Sequence, residues 1–232
     1  MHVLLSAKIL VAGGCQARIP PLEIIDLINT KLKSDIVVDE NGSREGATGG
    51  ILQNQPLICG GHNGDYNSTT NVSVIGMPNH GFEMMIPRSF ISSVVLNESK
   101  IWITGGWSNN GNVERSTEIN SLDQHPVPGP DLPFTVDCHS MVLVDPTTIY
   151  LIGGYQNGVT SNKTWIIDPT NDFQIRNGPS LNIAREGHSC SKMRIEGRIF
   201  LVVAGGFNNG ELASVELLDT TCPDQGWKMG MK

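Results

Sequence analysis

The sequence predicts an all-β fold built from one repeated unit, and three observations carry that expectation. A short aliphatic or β-branched run ending in a glycine pair occurs five times: ILVAGG, PLICGG, IWITGG, YLIGG and LVVAGG. No stretch of useful length places apolar residues at i, i+3, i+4, the spacing an amphipathic helix needs. Turn-forming residues are abundant, with 26 Gly and 13 Pro in 232 residues, so the extended runs must be short and frequently interrupted.

Each repeat reads as four strands. The first opens after a segment that tends to begin with Arg: REGAT (44–48), PRSFIS (87–92), VDCHS (136–140) and AREGHS (184–189). The second is the run that ends in the glycine pair. Glycine is required there because the backbone turns where neighbouring units crowd, and only a residue without Cβ takes a positive φ freely. The structural positions are Gly13, Gly14, Gly60, Gly61, Gly105, Gly106, Gly153, Gly154, Gly205 and Gly206. About ten residues later comes a third strand: LEIID (22–26), NVSVI (71–75), STEIN (116–120), TWIID (164–168) and SVELLD (214–219). Asp26, Asp168 and Asp219 end such strands, as turn-forming residues do. A fourth strand is expected at 36–38, 82–85, 173–175 and 227–229.

The glycine pairs begin at 13, 60, 105, 153 and 205, a period near the 50 residues of a kelch blade. With the Arg and Gly-His-Ser of 185–189, the His139-Ser140 pair and the aromatics Phe173 and Trp227 of fourth strands, the chain resembles the kelch-repeat family. CGG in the second repeat, TGGW in the third and GHSC in the fifth look closest to secreted animal kelch-like proteins. The second and third repeats lack the His of the first-strand motif. The resemblance implies a single kelch-type β-propeller domain over 1–232, with five visible four-stranded blades near 1–40, 41–86, 87–129, 130–178 and 179–232. These would form either a five-bladed propeller or a piece of a six-bladed one. In such a fold Trp102, Trp165 and Trp227 belong to the packing between blades.

Composition narrows the functional classes. Net charge is −7 with 16 Lys and Arg against 23 Asp and Glu, and no basic run offers the footprint of nucleic-acid binding. The apolar runs are too short for a membrane-spanning helix. No GxSxG elbow is present, and the five cysteines show neither CxxC spacing nor a Cys/His cluster, so no metal and no cofactor are expected. His139-Ser140 and His188-Ser189 occupy equivalent first-strand positions, which favours repeated packing over catalysis. A carbohydrate-active kelch enzyme, epimerase- or oxidase-like, is the alternative, using Arg, Glu and His at the channel mouth.

A non-catalytic module binding a protein or glycan partner is the reading the loops favour. Three loops after second strands share an aromatic, amides and Gly: WSNNG (107–111), YQNG (155–158) and FNNG (207–210). Aromatic rings beside adaptable amides suit a recognition surface, which makes Trp107, Asn109, Asn110, Tyr155, Gln156, Asn157, Phe207, Asn208 and Asn209 its candidates. Arg44, Arg88 and Arg185 are expected near the same rim, where they would either clamp an acidic partner or tie blades together. Sequons at Asn41, Asn67, Asn97 and Asn162 fall in expected loops, and a fifth, Asn71, begins a strand. They favour an extracellular glycoprotein, with the cytosol as the alternative and a monomer as the expected state. A disulfide between Cys138 and Cys190, which flank the two His-Ser motifs, is conceivable; free thiols are the alternative.

Overall fold

The computed structural model describes residues 44–62, 67–75, 77 and 80–230, together with the strand backbones at 2–5, 8–11, 22–26 and 32–37. Gly13, Gly14 and Asn41 lie outside the described residues. The described chain is all-β, with one 3-10 turn at Pro223–Gln225 and no α-helix.

Five four-stranded antiparallel sheets follow one another in sequence order. The first holds β1 (His2–Leu5), β2 (Lys8–Val11), β3 (Leu22–Asp26) and β4 (Leu32–Val37). The second holds β5 (Thr48–Leu52), β6 (Gln55–Cys59), β7 (Asn71–Val74) and β8 (Gly81–Glu83). A two-residue strand, β9 (Arg88–Ser89), precedes the third sheet of β10 (Ser92–Asn97), β11 (Lys100–Thr104), β13 (Thr117–Asn120) and β14 (Val127–Pro128); β12 (Trp107–Ser108) returns to pair with β9. The fourth sheet is β16 (Ser140–Asp145), β17 (Thr148–Ile152), β20 (Thr164–Asp168) and β21 (Gln174–Asn177). Beside it runs a small ladder of β15 (Val136–Asp137), β18 (Tyr155–Gln156) and β19 (Val159–Thr160). The fifth is β22 (Ser189–Ile195), β23 (Arg198–Ala204), β24 (Val215–Asp219) and β25 (Lys228–Met229). Each sheet is a meander, so one repeat closes one sheet. The third sheet's fourth strand is two residues ending in Pro, too short to leave a pattern in the sequence.

The register is the same in every repeat. Thr48, Ser92, Ser140 and Ser189 each pair with the residue just before a glycine pair: Cys59, Thr104, Ile152 and Ala204. A hydroxyl is useful there because, within each compact part of the chain, first strands lie side by side, β5 with β10 and β16 with β22. Thr48 and Ser93 share a hydrogen bond of 2.9 Å between hydroxyls, Ser93 also donates to the Gly49 carbonyl, and Ser140 donates to the His188 carbonyl at 2.9 Å. Asp168 and Asp219 accept from Thr170 and Thr221, closing the turns after their strands.

Two compact units divide the chain at the third and fourth repeats, Met1–Gly129 and Pro130–Lys232. Leu52, Leu57, Cys59, Val72, Ile91, Ile101 and Ile103 build the described core of the first. Val142, Tyr150, Ile152, Ile166, Leu201, Val203, Leu218 and Trp227 build that of the second. The Trp227 indole also donates to the Pro179 carbonyl at 2.9 Å, so its polar edge is satisfied while its ring is buried.

The described glycine pairs share one conformation. The first glycine has φ of +57° to +68° and the second +87° to +96°, and within a unit the pair grips the next repeat. The amide of Gly61 donates to the Arg88 carbonyl at 2.9 Å, and that of Gly154 to the Arg185 carbonyl at 2.8 Å. A Cβ at Gly154 would stand 2.6 Å from the Asp137 carbonyl and 2.7 Å from the His139 Cβ. Gly154→Ala is therefore expected to cost about 2–4 kcal/mol through left-handed strain and overpacking together. Urea denaturation checks this, and a midpoint equal to that of the parent chain refutes it.

Among the described cysteines, Cys59, Cys138, Cys190 and Cys222, none is joined in a disulfide. The conceivable bridge is not formed: Cys190 packs against the core of its sheet, whereas Cys138 stands outside the strands in a left-handed conformation at φ +50°. Burial pushes the Cys59 and Cys190 thiols up to about 12. Both are expected to resist an aromatic disulfide reagent near pH 8 and to react only on unfolding, because the thiolate is the nucleophile. Peptide mapping after labelling the native protein tests this.

Candidate functional site

The residue after each glycine pair folds back onto the segment that opens its own repeat. Trp107 pairs with Ser89, Tyr155 with Asp137, and isolated bridges join His62 to Glu45 and Phe207 to Glu186. The rings of Trp107, Tyr155 and Phe207 project to solvent, being 41%, 37% and 48% exposed. His62 is the departure, buried and packed against Phe90 with ring centroids 5.3 Å apart.

The amides around these rings serve the loops themselves. Asn109 accepts from the Ser68 amide at 2.7 Å and donates to the Ser68 carbonyl at 3.0 Å, joining two repeats. Asn110 accepts from the Asn112 amide and the Ser108 hydroxyl. Asn157, at φ +48°, accepts from the Thr135 amide at 3.1 Å. Gln156 is buried, donating to the Gly153 carbonyl at 2.7 Å and accepting from the Trp165 indole, whose ring stacks on Phe134. Asn208 is half-buried, and Asn209 turns the last loop at φ +54°. Of the loop candidates, the rings face outward and most of the amides hold the turns.

Arg44, Arg88 and Arg185 are not on the rim. All three are buried, with guanidinium groups turned inward onto their own repeats. Arg88 donates to the carbonyls of Gly105 and Ser116 at 3.0 and 2.9 Å, and Arg185 to those of Gly205 and Ser214 at 2.7 and 3.2 Å. Arg44 repeats the pattern on Gly60 and Asn71 at 3.3 and 2.7 Å. The carbonyls at a strand end need donors once buried, and a planar guanidinium supplies several at fixed geometry. Of the two expected roles, an anion clamp and a structural tie, these contacts match a tie, made within each repeat, because the donors are spent on its backbone.

Behind two of these arginines stands a buried carboxylate. Arg185 Nη2 lies 2.8 Å from Glu216 Oε1, and Arg88 Nε lies 3.5 Å from Glu118 Oε1. The carboxylates also accept from the backbone three residues before the Arg: Asn182 N to Glu216 and Met85 N to Glu118, each at 2.7 Å. Burial pushes the Glu118 carboxyl up, and the Met85 amide and Arg88 pull it back. The fourth repeat changes all three positions together, with Val136 for Arg, Trp165 for Glu and Pro133 for the residue whose amide would donate. A proline has no N–H to satisfy, so the missing carboxylate leaves no orphan. Comparing the repeats with one another shows this triplet in the sequence, although reading each repeat alone does not.

Ionisable groups also gather where the fourth and fifth repeats meet. Burial pushes His139 down to about 3, with His188 adding to the effect, and pushes His188 down to about 4, with Arg185 adding. Burial pushes Asp137 up to about 6; a Cys138 hydrogen bond opposes the rise and Glu186 adds to it. Of the groups an enzyme would present here, Arg185 and His188 are buried and Glu186 is half-buried. Among the described residues no three His, Cys, Asp or Glu side chains are arranged to hold a metal ion, and no helix is long and apolar enough to cross a membrane.

No protein-family model matches the chain, and no curated protein sequence matches it either.

Proposed function

We propose that the five sheets are blades of a kelch-type β-propeller and that the chain acts as a non-catalytic recognition module for a protein or glycan partner. The observation that carries this reading is the contrast within each aromatic loop: ring exposed, surrounding amides and arginines committed to the scaffold. Rings held on a rigid support lose little freedom on binding, which is what a recognition surface requires. The test uses the intact chain as bait on arrays of cell-surface ectodomains and oligosaccharides. Trp107→Ala, Tyr155→Ala and Phe207→Ala are expected to weaken the captured interaction by about tenfold each without moving the unfolding transition. Binding indifferent to all three overturns the proposal.

The extracellular reading belongs with it. Asn67 is exposed, and Asn97 is exposed on a hairpin tip, where its carbonyl accepts from Ser99. Asn162 is half-buried and its amide nitrogen donates to the Leu181 carbonyl at 3.1 Å. Asn71 is half-buried at the start of β7. Passage through a eukaryotic secretory pathway is expected to place glycans on Asn67 and Asn97 and to leave Asn162 bare, read by glycopeptide mapping. Retention of the chain as an unglycosylated aggregate counts against secretion.

A further inference from the structure

The exposed rings of Pro130–Lys232 form part of a continuous strip. Asp137 pairs with Tyr155, and Tyr155 with Thr160. The Thr160 hydroxyl donates to Glu186 Oε2 at 2.8 Å. Glu186 then bridges to Phe207, and Phe207 to Glu211. Read along the strip, a carboxylate alternates with an aromatic ring twice over, and Glu211 ends it. Among the described residues, Asp137, Glu186 and Glu211 form no ion pair. The arginine beneath, Arg185, is already engaged by Glu216.

Resting on the recognition reading, we propose that this strip receives a cationic segment of a protein partner, with Lys or Arg side chains laid over Tyr155 and Phe207 and answered by Glu186 and Glu211. The chemistry of the strip selects that occupant. An aromatic face attracts an ammonium or guanidinium, and a carboxylate beside it accepts the same group's N–H donors. The chain's net charge of −7 attracts basic partners at long range. A neutral oligosaccharide would use the rings and gain little from uncompensated carboxylates.

The experiment titrates the intact chain with a fluorescent twelve-residue peptide, Gly-Arg-Gly-Lys repeated three times, at about 0.15 M salt. Glu186→Gln with Glu211→Gln is expected to raise Kd by about tenfold or more, and Tyr155→Ala or Phe207→Ala by severalfold. The control, Glu196→Gln with Asp224→Asn, makes the same change in net charge at exposed positions of the same unit and is expected to shift Kd less than about twofold. Equal losses in both double variants mean diffuse attraction and overturn the proposal, as does absence of saturable binding up to about 1 mM. If the ring variants abolish capture of an array partner while the glutamate pair does not, the strip proposal fails and the recognition reading stands. If neither set matters to any captured partner, both fail.

Discussion

Arg185→Met is expected to remove about 3–5 kcal/mol of stability from the unit that contains it, because Glu216 would remain fully buried with its countercharge gone. The side chains lost and gained are of similar volume, so the cost comes from the stranded carboxylate and from the Gly205 and Ser214 carbonyls left short of donors. Glu216→Met should also be costly, since Arg185 and the Asn182 and Ile183 amides lose their acceptor. The double variant Arg185→Met with Glu216→Met is expected to recover a large part of the loss. The fourth repeat supplies the reason: Val136, Trp165 and Pro133 occupy the same three places and fold into the same meander. Hydrogen exchange of peptides from 189–229 reads the effect locally. Additive losses in the double variant would mean that backbone donors, and not the charge pair, dominate.

Acid is the second large expected effect. His139 and His188 are held at about 3 and about 4 in the folded chain, below the 6.5 of an exposed imidazole. The unfolded chain therefore binds more protons between those values, and stability falls as pH drops below about 6.5. At about 1.4 kcal/mol per unit, and allowing for overlap because His188 contributes to the depression of His139, the pair removes on the order of 5 kcal/mol by pH 4. Asp137 acts in the opposite sense. Its folded value of about 6 lies above that of an unfolded Asp, so the folded chain binds the extra proton, and acidification returns about 3 kcal/mol across the same window. The histidines win. Urea midpoints should hold steady from about pH 8 to 6.5 and then fall towards pH 4. His188→Gln should flatten that fall. A profile level down to pH 4 in the parent chain would refute the buried neutral imidazoles.

The architecture was legible in the sequence because its signals are local and repeated. A glycine pair must follow each second strand, since the backbone there takes two positive φ values in succession, and that demand recurs in register. The site was only half legible. Trp107, Tyr155 and Phe207 follow the glycines directly, so their shared position could be read. For the arginines the sequence leaves clamp and tie both open, since a charged side chain is normally exposed but a guanidinium can also satisfy buried carbonyls. Their acceptors lie 16 to 31 residues away, mostly at the ends of other strands, which no local pattern encodes. Gln156 likewise reads as a loop amide until Trp165, on β20 of the neighbouring four-stranded sheet, takes it as a partner.

The triplet of backbone donor, arginine and carboxylate is also self-contained, each set lying within one stretch of chain. A segment from Met85 to Leu132 carries its own amide, Arg88 and Glu118; the next, from Pro133 to Leu181, carries Pro133, Val136 and Trp165. A segment copied or exchanged at these boundaries brings a self-consistent interior with it. The triplet itself asks nothing of the preceding repeat, and the main-chain bond from the Gly154 N–H to the Arg185 carbonyl serves either kind of interior. That bond reads no side chain, whereas the contacts of Thr48 with Ser93 and of Thr160 with Glu186 do, so an exchanged repeat would keep its buried triplet but would still have to match its neighbour at those positions.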